Sequence, residues 1–175
     1  MDKKHYIITS ITLGLIGAAS AGLIGAANLL TRKQIAQNEL DKINSGIIEI
    51  FGKNASIESE NSLSGYKYTN YSYYIKDSGD DIDRYAFKTT GSNSYGKISL
   101  LVGFTMKDSG VEFVGLSIIV NEQTYASTLV DNYINPLNSG DVSIDDVNCG
   151  ATYGAKLVRN MINDAQIAAN DIAEG

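Results

Sequence analysis

The chain has 175 residues, enough for one domain with a sizeable core, and is 43% hydrophobic with 17 glycines and a single proline. Its net charge is −6, from 20 acidic against 14 basic residues, and no Lys/Arg cluster falls in the part that would fold, which argues against a nucleic-acid footprint. One cysteine excludes an internal disulfide, and His5 in the N-terminal tail leaves no imidazole in the domain for zinc binding or for Ser-His and Cys-His catalysis.

Tyr6 to Thr31 carries no charged residue, with Lys3, Lys4 and His5 before it and Arg32 and Lys33 after it. A helix of about 20 mostly apolar residues spans a bilayer, so residues 1–31 predict an N-terminal transmembrane anchor. A cleaved signal peptide is the rival, because Ala19-Ser20-Ala21 imitates a cleavage site, although apolar residues continue past it to Leu30. Gly14, Ala18, Gly22 and Ala26 recur every four residues, and Gly17, Ala21 and Gly25 repeat the spacing. Such strips let another helix backbone approach, or reflect the ordinary Gly and Ala content of membrane helices. The flanking charges balance and set no orientation.

Residues 32–55 read as a helical stalk, with Ile35, Leu40, Ile43, Ile47, Ile48 and Phe51 near one face and Gly52 as its C-cap. Ser56 to Lys76 is polar and tyrosine-rich, and the alternation through Tyr66 and Tyr68 suits a half-buried strand. Asp77, Asp80, Asp81 and Asp83 surround Ser78-Gly79 without the EF-hand order, which predicts a solvated turn. Arg84–Thr90 and Lys97–Thr105 read as strands. Val111–Val120 is another, with Val111, Phe113, Leu116, Ile118 and Val120 apolar, and Lys107-Asp108-Ser109-Gly110 joins it to its predecessor as a hairpin. Asn121 to Thr124 ends that strand, and Thr128 to Leu137 reads as a short helical or irregular piece stopped near Pro136. Leu157, Val158, Met161, Ile162, Ala165, Ala168, Ala169 and Ile172 recur at helical steps and predict a C-terminal helix beginning just after Thr152. The expected class is α+β: a transmembrane helix, then a small domain over 56–175 with a mainly antiparallel twisted sheet and flanking helices.

The stretch Asp146-Val147-Asn148-Cys149-Gly150-Ala151-Thr152 stands directly before that last helix. A threonine at or next to a helix N-cap faces free backbone N–H groups and the positive end of the helix dipole, a setting that favours an anionic phosphate. Gly150 and Ala151 leave room for a ligand to approach the backbone. Plain capping is the alternative, since threonine is a favoured N-cap residue, but Ala155 stands where a capping box would carry Glu or Gln.

The same stretch resembles the flavinylation motif of the FMN-binding domain family, in which Asp, two free positions, Ser or Thr, Gly, Ala and Thr precede the C-terminal helix. In that family a flavin transferase joins FMN through a phosphodiester to the final threonine. By architecture the chain is similar to the G subunit of Rnf-type electron-transport complexes and the C subunit of sodium-pumping NADH:quinone oxidoreductases. Ser94-Tyr95-Gly96-Lys97-Ile98 resembles the approach to the family's central hairpin, Val102-Gly103-Phe104 and Gly115 fit that hairpin, and Glu122 matches a Glu after the following strand. The resemblance implies FMN on Thr152, a cofactor site including Asp146, Cys149, Gly150, Ala151 and Tyr95, and Glu122 and Thr124 near the flavin. Cys149 departs from the pattern by replacing Ser or Thr, and Glu122-Gln123-Thr124-Tyr125-Ala126-Ser127 replaces the usual Glu-Thr-Pro-Gly-Leu-Gly.

The function so implied is electron relay by a covalently bound flavin, with no catalytic acid–base residue and no metal. The chain would be a single-pass subunit at the cell membrane, its domain extracytoplasmic, among the other membrane subunits of an ion-translocating redox complex. A stand-alone anchored flavoprotein for extracellular electron transfer is a second version. A pilin-like structural protein is the reading from another class, although the apolar run lacks an internal Glu and a Gly-Phe leader junction.

Overall fold

A computed structural model describes the backbone of residues 3–76, 82–107 and 110–174, with side chains described for these except 3–11, 26, 29 and 30. The chain divides into two compact units, Met1–Asp41 and Lys42–Gly175. A single helix, α1 (Lys3–Phe51), supplies the described part of the first unit and opens the second.

The expected transmembrane helix is overturned: among the described residues, no helix is long and apolar enough to cross a membrane. Gly14, Gly17, Gly22 and Gly25, with Ser20 among them, give the described stretch little apolar surface per turn, and burial energy scales with that surface. Gly14, Ala18 and Gly22, like Gly17, Ala21 and Gly25, lie on exposed helix surface, and the Ala26 side chain lies outside the described residues.

In the second unit, α1 ends where Gly52 ends it, its N–H donating to the Ile48 carbonyl at 2.9 Å. Five strands follow: β1 (Ser56–Ser62), β2 (Thr69–Lys76), β3 (Arg84–Asn93), β4 (Gly96–Lys107) and β5 (Gly110–Asn121). They form an antiparallel meander in the order β1-β2-β3-β4-β5. Tyr66 and Tyr68 fall between β1 and β2 rather than in a strand, because the Asp164 carboxylate takes the backbone N–H groups of Lys67, Tyr68 and Thr69. The expected hairpin pairs Lys107 with Gly110, while Asp108 and Ser109 lie outside the described residues. So do Asp77, Asp80 and Asp81 of the expected acidic turn; Asp83 accepts the Tyr74 hydroxyl at 2.8 Å.

β4 is buried on both faces from Ile98 to Thr105, so it reads as a mostly apolar stretch, interrupted by Ser99, rather than as an alternation. One face turns Ile98, Leu100, Val102 and Phe104 toward the core under the C-terminal helix α4 (Thr152–Glu174). The helix answers with Leu157, Val158, Met161, Ile162, Ala165, Ala168 and Ala169, all buried and spaced at three and four residues. The opposite face carries Tyr73, Ile75, Ala86, Leu101 and Ile119 against Ile43 and Ile47 of α1. Gly103 admits that helix end, since a Cβ there would lie 2.4 Å from Ile50 Cγ2 and 2.8 Å from Phe51 Cζ.

Between β5 and α4 the chain forms one run of short helix: α2 (Ala126–Leu129), a π turn (Val130–Ile134) and α3 (Asn135–Ser139). Pro136 follows directly on the π turn, in which Asn135 N–H donates to Val130 O, and the run continues through it to Gly140, which ends it in the left-handed conformation.

Candidate functional site

Three segments distant in sequence meet at the start of α4. The first is the β3–β4 turn. Gly96 has φ +131°, and a Cβ there would lie 2.1 Å from the Glu122 carbonyl oxygen, so no other residue fits. This closeness ties the turn to the strap that follows β5. Glu122 N–H donates to Lys97 O at 2.8 Å, and Thr124 donates to Tyr95 O through both its N–H (2.8 Å) and its hydroxyl (3.1 Å). Gln123 is buried, with its carboxamide nitrogen donating to Gly96 O. Asn93 completes the junction: its Oδ1 accepts Tyr95 N–H at 2.8 Å and its Nδ2 donates to Tyr153 O at 3.2 Å.

The third segment is the loop leading into α4. Asp146 Oδ2 accepts Ser143 N–H at 2.8 Å, and hydrogen bonds from the Ser143 backbone and then its side chain hold the Asp146 carboxyl below its ordinary range. Cys149 is half-buried against the main core, and its carbonyl accepts Asn132 Nδ2 at 3.0 Å. Gly150 follows with φ +84°, a left-handed turn that swings the chain into the helix. The Ala151 carbonyl accepts Ala155 N–H at 3.0 Å, the first helical bond, so Ala151 is the N-cap and Thr152 the first helical residue. Alanine has no oxygen with which to cap the first-turn amides.

These segments enclose a cleft of about 260 Å³, lined by Tyr95, Gln123, Tyr125, Leu129 and residues 150–154. The Tyr95 ring stacks on Tyr153 (centroids 5.4 Å apart, planes 27° apart) and tilts against Tyr125 (5.9 Å, 52°). Tyr125 and Tyr153 remain 54% and 65% exposed, unusually open for large rings gathered at one cleft.

Of the residues singled out from sequence, Thr152, Ala151, Gly150 and Tyr95 are brought together in the lining. Cys149 turns toward the core, Asp146 is engaged by Ser143 within the loop, and Glu122 and Thr124 are exposed outside the lining. Gln123, Tyr125, Leu129 and Tyr153 line the cleft without having been identified from sequence. Past the end of β5 at Asn121 the chain leaves the strand and turns at Thr124 and Tyr125, so the buried Gln123 and the half-exposed Tyr125 reach the cleft through tertiary packing that no local pattern marks.

Chemically, this lining offers aromatic faces, one buried carboxamide and one hydroxyl at a helix N-terminus, and no carboxylate, amine or imidazole. Comparisons with protein families, with curated proteins and with solved structures find no match for this chain.

Proposed function

We propose that the chain is an electron-transfer flavoprotein carrying FMN in phosphodiester linkage on Thr152, attached by a flavin transferase. The observation that carries this reading is the position of Thr152: first residue of α4, in the lining of an aromatic cleft, behind an N-cap alanine that cannot cap. Residues of this chain would act as follows. The first-turn amides of α4 donate to phosphate oxygens, and the helix dipole adds about 0.3–1 kcal/mol in favour of the anion. Gly150 and Ala151 keep side-chain bulk away from the esterified oxygen. Tyr95, Tyr125 and Tyr153 supply flat apolar surface for a ring system. When bound, the flavin supplies the redox chemistry, and the protein fixes its position and surroundings. The partners proposed are other subunits of an Rnf- or Nqr-type redox complex, with a stand-alone carrier in extracytoplasmic electron transfer as the simpler form.

Intact mass after co-expression with a flavin transferase tests the tether. One FMN per chain is expected, with none on Thr152→Ala; flavin that persists on that variant sinks the assignment. A structural, pilin-like role is favoured by one observation, the unbroken helix from Lys3 to Phe51 whose last turns pack on the sheet. Filament incorporation would mark that role, and a single covalent FMN would not be expected from it.

A further inference from the structure

We infer that the outer edge of β5 is a strand-pairing surface that Asn138 holds closed, and that the partner it keeps out is the β5 of a second copy. The inference is independent of the flavoprotein reading. β5 is the last strand of the meander, 12 residues long, with β4 on one side and, among the described residues, no strand on the other. Such an edge offers backbone N–H and C=O groups to any extended chain. The two edges of this sheet are guarded differently. β1 is 7 residues long, mostly exposed, and carries Glu58 and Glu60, which discourage pairing. β5 carries one charge, Glu112, in an otherwise uncharged and largely apolar run.

The guard on β5 is a side chain. Asn138 of α3 accepts Leu116 N–H at its Oδ1 and donates from its Nδ2 to Leu116 O, each at 2.8 Å. A residue on a neighbouring antiparallel strand supplies the same pair of bonds. The register against β4 shifts at Val114 and at Ile119, which leaves residues 115–118 as a regular stretch, and Asn138 stands on it. Asn138 is exposed while its neighbour Leu137 is buried, so the amide can swing off the edge without unpacking α3. Beside it lies a groove of about 190 Å³ between Glu49, Ile50 and residues 114–116, in which Val114 is 38% exposed.

A second copy fits this edge by symmetry. With two β5 strands antiparallel about a twofold axis at Leu116, the two Leu116 residues exchange N–H and C=O bonds, each taking the place of the other's Asn138. Glu112 of each strand then comes alongside Ile119 and Val120 of the other, where Lys42 donates to the Ile119 carbonyl at 2.8 Å. The single charge of the strand thus meets a cation rather than its like.

The experiment measures self-association of the full chain by sedimentation velocity over a concentration series, with hydrogen exchange at the Leu116 amide as the local readout. Asn138→Ala is expected to tighten self-association by about tenfold, from the two Leu116 bonds across the pair. The Leu116 amide should exchange fast in dilute Asn138→Ala chain and slow down as concentration rises; in wild type its exchange should not depend on concentration. Adding Val114→Lys, a charge on the bare edge, should return Asn138→Ala to wild-type association, and Val114→Lys alone should change nothing. Asn138→Asp still accepts Leu116 N–H but cannot donate to Leu116 O, so it should give a smaller gain, and it decides the matter if the alanine variant unfolds. Association through the exposed aliphatic residues of α1 is common to all these variants and cancels between them. Folded Asn138 variants that associate as wild type does, or a gain that survives Val114→Lys, would overturn the inference. Wild type that associates less once Val114→Lys is introduced would overturn it too, because the edge would already be open.

Discussion

Asp164 is the strongest single link between α4 and the sheet, and Asp164→Asn tests how the helix that carries the site is held. Its Oδ2 accepts Tyr68 N–H (2.9 Å), Thr69 N–H (2.9 Å) and the Thr69 hydroxyl (2.8 Å), while Oδ1 accepts Lys67 N–H at 3.1 Å. Asparagine keeps one oxygen and the shape. The oxygen retains the three bonds on one side as neutral bonds, and the new NH2 group faces the Lys67 N–H, donor against donor. Hydrogen bonds to a charged acceptor contribute about 1.5–3 kcal/mol against about 0.5–1.5 for neutral ones, so the exchange costs roughly 2–3 kcal/mol. At about 2–4 °C per kcal/mol for a chain of this size, thermal unfolding at neutral pH should fall by roughly 5–10 °C. The acid dependence gives a second readout. Partial burial pushes the Asp164 carboxyl up, but the hydrogen bonds from Tyr68, Thr69 and Lys67 outweigh it and hold the group below its ordinary value. A folded-state pKa below the unfolded one means stability that is present above about pH 4 and is lost as pH falls through the folded value. The gap between wild type and Asp164→Asn should therefore close as unfolding is measured at progressively lower pH. Equal stability at pH 7, or a gap that persists undiminished in acid, would refute the reasoning.

Two further outcomes follow from the packing. Gly96→Ala should lower stability by about 2 kcal/mol or more, because φ +131° is strained for alanine and its Cβ would sit 2.1 Å from Glu122 O; the near-ultraviolet tyrosine signal should change with it, and an unchanged spectrum and unfolding midpoint would count against the tight turn-to-strap contact. Tyr133 is fully buried with its hydroxyl donating to Ile144 O, and burial pushes its pKa up to about 12, with Arg159 opposing. That raised value contributes stability below about pH 10 that drains away toward pH 12, so Tyr133→Phe should flatten alkaline unfolding while costing about 1–2 kcal/mol at pH 7 for the unpaired carbonyl; retention of the wild-type alkaline slope would show that another group sets it.

What the sequence disclosed depended on how local the cause was. The C-terminal helix, the Gly52 stop and the β4–β5 hairpin are each set by residues within a few positions, and the structure has them, with the helix starting at Thr152, one residue earlier than expected. The apolar order in β5 carries one of its two irregularities: Phe113 to Leu116 is a step of three, and the register shifts between Gly103 and Phe104 so that Val114 is the extra residue, whereas the shift between Ser99 and Leu100, with Ile119 as the extra residue, leaves no break in the alternation. Tyr66 and Tyr68 misled because alternation cannot reveal a carboxylate nearly a hundred residues on that captures the backbone of Lys67, Tyr68 and Thr69. The N-terminal run misled because absence of charge is not the same as apolar surface, and its glycines supply little.

The site follows the same rule. Gly150, Ala151 and Thr152 were legible because a helix start is a local event, whereas the cleft walls come from a turn, a strap and a helix that only the fold brings together. Cys149 shows the consequence for the departure from the flavinylation pattern. Its side chain packs toward the core, and what it gives the loop is its backbone carbonyl, bonded to Asn132. Cys149 is thus outside the cleft lining. Of the positions that depart from the family pattern between Glu122 and Ser127, Gln123 and Tyr125 are the ones that line the cleft.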